Sequence, residues 1–333
     1  MEEELITRSG YGAELRWPRG VEPDFLVAEV GKQLRGYRCL RFDRRVSSTM
    51  ERTNADSLAE VVHALARWQQ DAAPVQLHPG DLGWHWRFGA EALAETLRVW
   101  RRDGEILAVG FVDSPGLIRM AIAPMADHDD NLARQLITDI SDPTRRVLPA
   151  GDAIVEARFG AAFRELLHEN RWVADQPWTP LRRDLTEAVE DCGLRVEAVG
   201  PNHVQERVAV QRAAFDNSTF TVERWCTMAA APLYRHARCL VAYDEHDDAV
   251  AAVTVWSGGS GRPGLVEPMG VHRDHRGHGY GTAITLAAAA ALRDMGSSSA
   301  IVCTPSSNVG AVATYASSGF NRSPDVTDFR KQA

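Results

Sequence analysis

The residues with the clearest chemical potential form one glycine-rich run, His272-Arg273-Asp274-His275-Arg276-Gly277-His278-Gly279-Tyr280-Gly281-Thr282. This run follows a predicted strand and opens a predicted helix, so free main-chain N–H groups meet the positive end of the helix dipole there. Glycine has no Cβ atom to obstruct a ligand, and Arg276 adds positive charge at the same end. The run therefore predicts a site for a phosphate group.

The spacing of the glycines limits which class of phosphate-containing ligand this run would bind. The dinucleotide fingerprint requires two residues between its last glycines, and a Walker loop requires a following Gly-Lys-Ser/Thr; neither is present. The pattern Arg-x-x-Gly-x-Gly from Arg276 to Gly281 instead resembles the pyrophosphate loop of the GCN5-related N-acetyltransferase (GNAT) superfamily. The alternative is a plain glycine-rich turn.

Further residues lie where this resemblance implies that they should. Val271 ends the strand that pairs with the pantetheine arm in the superfamily, and Asn308, Tyr315 and Gly319-Phe320 resemble its Asn…Tyr…Gly-Phe signature. The resemblance covers about residues 193–333 and implies acetyl-CoA as the co-substrate, without a metal. The residues that it assigns to acetyl-CoA binding are Met269, Val271, Arg276, Gly277, His278, Gly279, Tyr280, Gly281, Thr282 and Asn308.

Glu267 is the predicted general base. It lies in the strand before the loop and is followed by Pro268, which cannot donate a ladder hydrogen bond and favours a bulge there. A carboxylate facing the cleft can take a proton from an ammonium substrate, and main-chain N–H groups near Met269 and Val271 can steady the thioester oxygen. The alternatives are a surface glutamate, or His272 or His275 as the base.

Tyr315 is the predicted acid for the departing sulfur, since the reference pKa of a phenol is near that of a thiol. The alternative is an aromatic side chain that only packs on the helix face. Direct transfer, as the resemblance implies, requires no nucleophilic cysteine, so Cys303 is interpreted as a core-strand residue. In His278, the main chain is expected to matter more than the ring.

Apolar periodicity predicts the elements that position these residues. In the second half it predicts strands at Leu194–Val199, Leu240–Tyr243, Val250–Trp256, Leu265–Val271 and Ala300–Cys303, and helices at His203–Phe215, Val222–Ala230, after the loop to Met295, and Asn308–Ser317. In the first half it predicts helices at Leu58–Trp68, Glu91–Trp100, Asn131–Ile140 and Phe163–Glu169, and strands at Glu105–Val112 and Leu117–Ile122. The first fifty residues are interpreted as a strand-and-loop lead-in.

The two halves repeat the same order of elements, which predicts a domain duplication. Aligning them places Arg119 against Glu267, Leu167 against Tyr315, and a loop with three aspartates but no glycine, residues 124–131, against the phosphate loop. The first half is therefore expected to be a degenerate domain that walls the acceptor cleft. We place the domains at residues 1–185 and 190–333. The aromatic and basic segment from Asp81 to Arg87 is expected to pack in the core or in an interface, and the alternative is that it shapes an acceptor pocket.

The bulk composition limits the partners. The 333 residues carry a net charge of −8, which disfavours nucleic acid and anionic membranes as partners. The scattered cysteines, an acidic start without a following apolar run and the lack of a long apolar stretch indicate a cytoplasmic protein.

The sequence thus predicts an α/β protein with mixed sheets and two tandem acetyltransferase-like domains. This arrangement resembles the architecture of mycothiol synthase-like proteins. The expected activity is acetyl transfer from acetyl-CoA to the primary amine of a small molecule, by a monomer or homodimer. A protein lysine or N-terminus is the alternative acceptor. A non-catalytic acyl-CoA-binding regulatory module is the alternative from another class.

Overall fold

A computed structural model describes residues 48–331 of the 333-residue chain. These residues lie within one compact unit, Val46–Ala333. Nearly all of the predicted lead-in, with Cys39 and the acidic start, lies outside the described residues.

Helices flank a sheet in the first half of the described chain. Helix α1 is amphipathic, and Leu58, Val61 and Leu65 lie buried at helical spacing. The elements in chain order are β1 (Thr49–Arg52), α1 (Leu58–Trp68), α2 (Pro79–His85), α3 (Ala90–Thr96), β2 (Leu97–Arg102), β3 (Glu105–Ser114), β4 (Leu117–Ile122), α4 (Asp130–Ser141), β5 (Ala153–Glu156), α5 (Ala161–Glu169) and β6 (Val173–Asp184). The predictions for Leu58–Trp68 and Leu117–Ile122 are confirmed.

The predicted helix over Glu91–Trp100 is wrong in its last turn. Helix α3 ends at Thr96, and β2 begins at the next residue. Strand β2 pairs with both β1 and β3, and its Val99 lies opposite Val109. Branched and aromatic side chains suit such a doubly paired strand, so pairing with distant segments outweighs the local helical spacing.

The second half contains the same kinds of elements in a similar order. These elements are β7 (Arg195–Ala198), α6 (Val204–Ala214), α7 (Val222–Ala229), β8 (Ala237–Tyr243), β9 (Ala249–Ser257), β10 (Gly264–Val271), α8 (Tyr280–Asp294), β11 (Ser299–Pro305), α9 (Val309–Ser317), β12 (Asn321–Arg322) and β13 (Val326–Lys331). The strands and helices predicted here are confirmed to within a few residues at their ends.

One mixed sheet runs through both halves in the order β1-β2-β3-β4-β5-β13-β6-β11-β10-β9-β8-β7, with β12 beside β6. The halves exchange their last strands, since β6 pairs with β11 and β13 pairs with β5. Accordingly, Leu181 of β6 packs in the core of the second half, and Phe329 of β13 packs in that of the first. The domain boundary near residues 183–193 stays a prediction, because the exchange joins the halves into one unit.

The sheet of the second half has an apolar cluster on each face. Alternate residues of β8 point to opposite faces: Leu240 and Ala242 belong to one cluster, Cys239 and Val241 to the other. Helix α8 covers the first face through Ile284, and helices α6 and α7 cover the second. The site described below therefore rests on a sheet that is packed on both faces.

Candidate active site

Strands β10 and β11 diverge and leave a gap within the sheet. They pair in parallel only at Gly264 with Ala300 and at Leu265 with Ile301. Beyond these pairs β11 remains bonded to β6, and β10 remains bonded to β9 with a register shift between Val266 and Met269. The shift spans the segment that contains a proline, which supplies no ladder donor. An extended chain can enter this gap.

Two main-chain groups of β10 face the gap. The N–H of His272 donates to the carbonyl of Val250 at 2.8 Å, so this position bonds to β9. Bonded positions alternate along an antiparallel pair, and Gly270 therefore also faces β9. Met269 and Val271 direct their main-chain groups to the opposite edge, where β11 has moved away. This is the edge on which a pantetheine arm was predicted to lie.

The predicted phosphate loop joins β10 to α8 and carries unused donors. Within residues 48–331, no main-chain N–H from Arg276 to Thr282 donates to an acceptor. Helix α8 has Gly279 at its N-cap, without a capping side chain and without an acidic residue in its first turn. Gly277 and Gly279 have φ angles of 86° and 83°, which favour glycine. Free donors at a helix start suit an anion.

Contacts with helix α6 hold this loop in place. Arg273 Nε donates to the carbonyl of Ala213 at 2.7 Å, and Arg276 Nη2 donates to that of Ala214 at 2.8 Å. These bonds satisfy carbonyls at the end of α6. Part of the Arg276 guanidinium is thus committed to the protein, and its predicted role in phosphate binding stays a prediction.

The remaining loop residues have identifiable packing roles. A Cβ at Gly281 would lie 3.0 Å from Thr314 Cγ2, so this glycine permits α8 to approach α9. The rings of His278 and Tyr280 stack with centroids 5.7 Å apart. Thr282 lies in the first turn of α8. These facts place the predicted binding residues together and leave their role in binding as a prediction.

Glu267 is half-buried at the register shift of β10. Its main-chain carbonyl accepts a 3.0 Å hydrogen bond from Trp256 Nε1. Withdrawal from solvent raises the pKa of its carboxyl to about 7, and the charge of Asp81 adds to this effect while Arg119 opposes it. Asp113 and Glu156 also raise this pKa. A carboxyl with a pKa near neutrality suits a general base.

Tyr315 lies in α9 with its ring buried against Phe320, at a centroid distance of 5.8 Å. Its hydroxyl makes no hydrogen bond to any residue that the structure describes. Burial raises the pKa of Tyr315 above its usual value, and the charge of Glu267 adds to the effect. The phenol therefore stays protonated at neutral pH, and its role as the acid stays a prediction.

Asn308 begins helix α9. Its Oδ1 accepts a hydrogen bond from the N–H of Ala311 at 3.2 Å, which makes it the N-cap. The residue is exposed, so its amide group remains accessible to a ligand. The structure thus shows a capping role, and the predicted ligand contact stays a prediction.

The alternative bases and the cysteine have other surroundings. His272 accepts from the N–H of Asp274 at 3.3 Å, and His275 Nδ1 lies 4.0 Å from a carboxylate oxygen of Asp244. Cys303 lies in β11 as predicted, and burial raises the pKa of its thiol to about 11. A thiol with this pKa is protonated at neutral pH and a weak nucleophile.

A chain of buried charges extends from the first half to the last strand. Asp81 lies 2.8 Å from Arg119, which lies 3.0 Å from Glu156. Arg158 lies 3.4 Å from Glu156 and 3.6 Å from Asp328. This chain starts beside Glu267, as the charge effects on the pKa of Glu267 show. The repeat placed Arg119 opposite Glu267, but the sequence did not predict its carboxylate partners, which come from α2 and β5.

Helix α2 fixes this charge chain against the second half. His78 Nδ1 accepts from the N–H of Gly80 at 2.9 Å, so its Nε2 is the donor to the carbonyl of Pro263 at 3.2 Å. Burial lowers the pKa of His78 to about 4, which keeps the ring neutral. A Cβ at Gly80 or Gly83 would lie 2.5 or 2.3 Å from Trp256. The prediction that this segment packs in an interface is confirmed.

In the loop of the first half that corresponds to the phosphate loop, carboxylates accept hydrogen bonds from main-chain N–H groups at the starts of two helices. One oxygen of Asp127 accepts from the N–H groups of Gly160 and Ala161, both at 3.0 Å. Asp129 caps α4 through the N–H of Leu132 at 2.9 Å. Carboxylates thus occupy donors that an anionic ligand would need, as expected of a degenerate site.

Both halves close their last helix in the same way. The N–H of Trp172 donates to the carbonyl of Leu167 at 3.0 Å, and that of Phe320 donates to the carbonyl of Tyr315 at 3.1 Å. The residues before them, Arg171 and Gly319, have φ angles of 64° and 77°. This equivalence of aligned positions supports the duplication.

Two features are absent from residues 48–331. No group of three or more His, Cys, Asp and Glu side chains is arranged to hold a metal ion. No helix there has the length and apolarity to cross a membrane.

Comparisons with known proteins agree with this geometry. Residues 206–320 match the sequence model described as the Acetyltransferase (GNAT) family. The chain is 29% identical over 181 residues to the mycothiol acetyltransferase of Segniliparus rotundus, a match that covers 52% of this chain and 66%, just under two thirds, of that protein.

Solved structures resemble the chain over most of its length. An acetyltransferase of the GNAT family from Colwellia psychrerythraea superposes with a TM-score of 0.57 at 16% identity, covering 85% of this chain and 100% of that one. A tandem GNAT protein from the clavulanic acid biosynthesis pathway superposes with a TM-score of 0.54 at 14% identity, covering 86% and 98%. Residues 206–320 of this chain therefore match the GNAT acetyltransferase family in sequence, and the described chain has a fold similar to that of tandem GNAT proteins.

Proposed function

We propose that this protein is an N-acetyltransferase that moves an acetyl group from acetyl-CoA to a primary amine of a small molecule. The observation that carries the proposal is the position of Glu267. Glu267 lies at the register shift where β10 and β11 diverge, the pKa of its carboxyl is raised to about 7, and its charge acts on Tyr315.

The residues present fit acetyl-CoA. The N–H groups from Arg276 to Thr282 would hold its diphosphate, and those of Met269 and Val271 would lie along its pantetheine arm. When bound, acetyl-CoA supplies the activated acyl group. The proposed assignment of the loop rests on its unused N–H donors and on Gly277 and Gly279. A Cβ added at either glycine would meet nothing within 4 Å.

The side chains then have complementary tasks in the proposed mechanism. Glu267 accepts a proton from the ammonium group of the acceptor, and the free amine attacks the acyl carbon. Tyr315 stays protonated and donates a hydrogen bond to the sulfur as the carbon–sulfur bond breaks. Because its pKa is raised, Tyr315 acts chiefly by stabilising the leaving group, and the leaving sulfur finally takes, through solvent, the proton that the acylated nitrogen loses.

The first half supports a small acceptor rather than a protein. Helix α2 lies against Trp256 and Pro263, and this contact brings Asp81, with its partner Arg119, to the second half. We therefore propose that the first half walls one side of the acceptor cleft. The curated relative is named for mycothiol and the tandem relative for clavulanic acid biosynthesis, which also supports a small-molecule acceptor.

The test is thiol release from acetyl-CoA in the presence of a panel of amines, with wild-type protein and with Tyr315→Phe. We expect amine-dependent release, and turnover reduced at least about tenfold in the variant with little change in CoA affinity. Amine-independent binding of CoA without any release would favour the non-catalytic alternative. Weaker CoA binding at unchanged turnover would make Tyr315 a cofactor contact only.

A further inference from the structure

Two arginines from opposite halves converge on one aromatic ring. Arg87 belongs to the short 3-10 turn Trp86–Phe88 that follows α2, and Arg224 lies in the first turn of α7. Their guanidinium carbons lie 4.3 and 4.9 Å from the centroid of Phe88. Phe88 is 41% exposed, an unusual exposure for a large apolar side chain in this structure. The ring and both cations therefore border solvent.

Neither arginine has a carboxylate partner within 4.0 Å among residues 48–331. Arg87 Nη1 donates to the carbonyl of Trp84 at 2.6 Å, and Arg224 Nη1 donates to Thr219. Their Nε and Nη2 atoms have no hydrogen-bond partner in the same part of the chain, and both side chains remain half-exposed. The chain carries a net charge of −8, so a pair of cations without carboxylates is unexpected. Two like charges near one ring repel each other, and an anion that accepts from their unused N–H groups would offset that repulsion.

The arginine pair lies beside the candidate catalytic base. Gly83 packs on Trp256, whose indole N–H bonds the main-chain carbonyl of Glu267, and Arg87 follows four residues after Gly83 in the turn that continues α2. The charges of Asp113 and Glu267 also act on the Arg87 guanidinium, which lies 4.3 Å from the ring centroid of Trp84. Asp113 is exposed, and its carboxylate lies beyond ion-pair distance of both arginines. This side of the site therefore carries carboxylates and, near them, guanidinium groups without an ion-pair partner.

We propose that Arg87 and Arg224 bind a carboxylate of the acceptor, whose amine is placed at Glu267. The acceptor is then a zwitterionic, amino-acid-like small molecule. Guanidinium groups match the two oxygens of a carboxylate, and each supplies parallel N–H donors. An apolar portion of the acceptor would lie on Phe88. This inference rests on the proposed function, because it names the substrate class of the same site.

The test compares acceptor probes that differ only in the anion. The probes are 4-aminobutanoate against n-butylamine, and L-phenylalanine against 2-phenylethylamine, with phosphoethanolamine for a phosphate. We expect kcat/KM for a carboxylate probe to exceed that of its partner at least about tenfold. We expect Arg87→Gln and Arg224→Gln to reduce that ratio about tenfold through KM. Arg293→Gln, an exposed arginine at the end of α8, is the matched control and should leave the ratio unchanged.

Equal kcat/KM values for a carboxylate probe and its partner without the carboxylate would overturn the inference. Equal losses of kcat/KM for both probes in the arginine variants would also overturn it. Preference for phosphoethanolamine over all carboxylates would overturn the choice of carboxylate. If no amine is acetylated, the proposed function fails, and calorimetric titration of L-phenylalanine in the presence of CoA decides the anion site by itself. Binding that is lost in both arginine variants supports the site; no binding to the wild type overturns it.

Discussion

The indole N–H of Trp256 in β9 donates a 3.0 Å hydrogen bond to the main-chain carbonyl of Glu267 in β10. Trp256 is 2% exposed, and the other side of its ring lies against Gly80 and Gly83 of helix α2. One side chain thus connects the first half to the segment that carries the candidate base. Packing in the first half can therefore alter the position of Glu267.

This contact predicts a large effect of a small substitution. In Gly83→Ala the new Cβ would lie 2.3 Å from Trp256, so the indole must move and its bond to Glu267 weakens. We expect a loss of about 1–3 kcal/mol in the free energy of unfolding, measured in urea, together with lower activity. Gly200→Ala is the control, because a Cβ there meets nothing within 4 Å. Equal stability of the two variants would show that the indole is not held in place.

The raised pKa of Glu267 predicts a pH-dependent defect. The base is ionised above about pH 7, so the wild-type kcat/KM should rise through that pH. Glu267→Gln should lose about a hundredfold in rate at neutral pH, and the loss should shrink as the amine deprotonates unaided. A loss independent of pH would contradict the role of base.

The same pKa also predicts a change in stability. Because the folded state raises the pKa of this carboxyl, the unfolded chain ionises first, and stability falls as the pH rises toward 7. Glu267→Gln should therefore be more stable than the wild type at pH 8 and similar to it at pH 4, as measured by chemical unfolding.

The charge chain of the first half predicts opposite shifts of the pH profile. Arg119 lowers the pKa of Glu267 and Asp81 raises it. Hence Arg119→Gln should move the rise in kcat/KM to higher pH, and Asp81→Asn should move it to lower pH, each by about one unit. Shifts in the same direction would mean that both changes act through structural damage. The titratable groups that interact electrostatically with Glu267 are Asp81, Arg87, Asp113, Arg119, Glu156 and the neutral Tyr315.

Two glycines with similar φ angles allow the effect of backbone strain to be distinguished from an effect on ligand binding. Gly279 in the loop and Gly261 outside it have φ angles of 83° and 68°, and a Cβ at either meets nothing within 4 Å. Alanine at either position should cost about 1–2 kcal/mol of stability. Only Gly279→Ala should weaken CoA binding, by about tenfold. Its new Cβ and the strained backbone would lie next to the N–H donors of the loop. Equal CoA affinity of the two variants, by calorimetry, would argue against the loop.

Local patterns predicted most helices and the strands of the second half. The apolar spacing of Leu58–Trp68 and the alternation around Leu117–Ile122 depend on nearby residues, and both elements form as predicted. The Asn308–Ser317 segment also carries its own cap. Such signals lie within one element, so one sequence is enough to detect them.

Elements that depend on distant partners were missed or misplaced. Strand β6 contains Pro177 and Pro180 and was not predicted, yet it pairs with β11 in the middle of the sheet. Its stability depends on β11 and β13, which lie far along the chain. The convergence of Arg87 with Arg224 has the same origin, since their segments meet only through the docking of α7 on the 3-10 turn. The repeat did bring Arg119 into correspondence with Glu267, but not the carboxylates that hold it.

The central claim is that main-chain donors from Arg276 to Thr282 bind the diphosphate of CoA. The most direct measurement is the amide proton and nitrogen NMR spectrum of the protein titrated with CoA and, separately, with pantetheine, which lacks the diphosphate. We expect CoA to shift the amide resonances of this segment strongly and pantetheine to leave them unchanged. Unchanged amides in this segment at saturating CoA, or equal shifts with pantetheine, would contradict it.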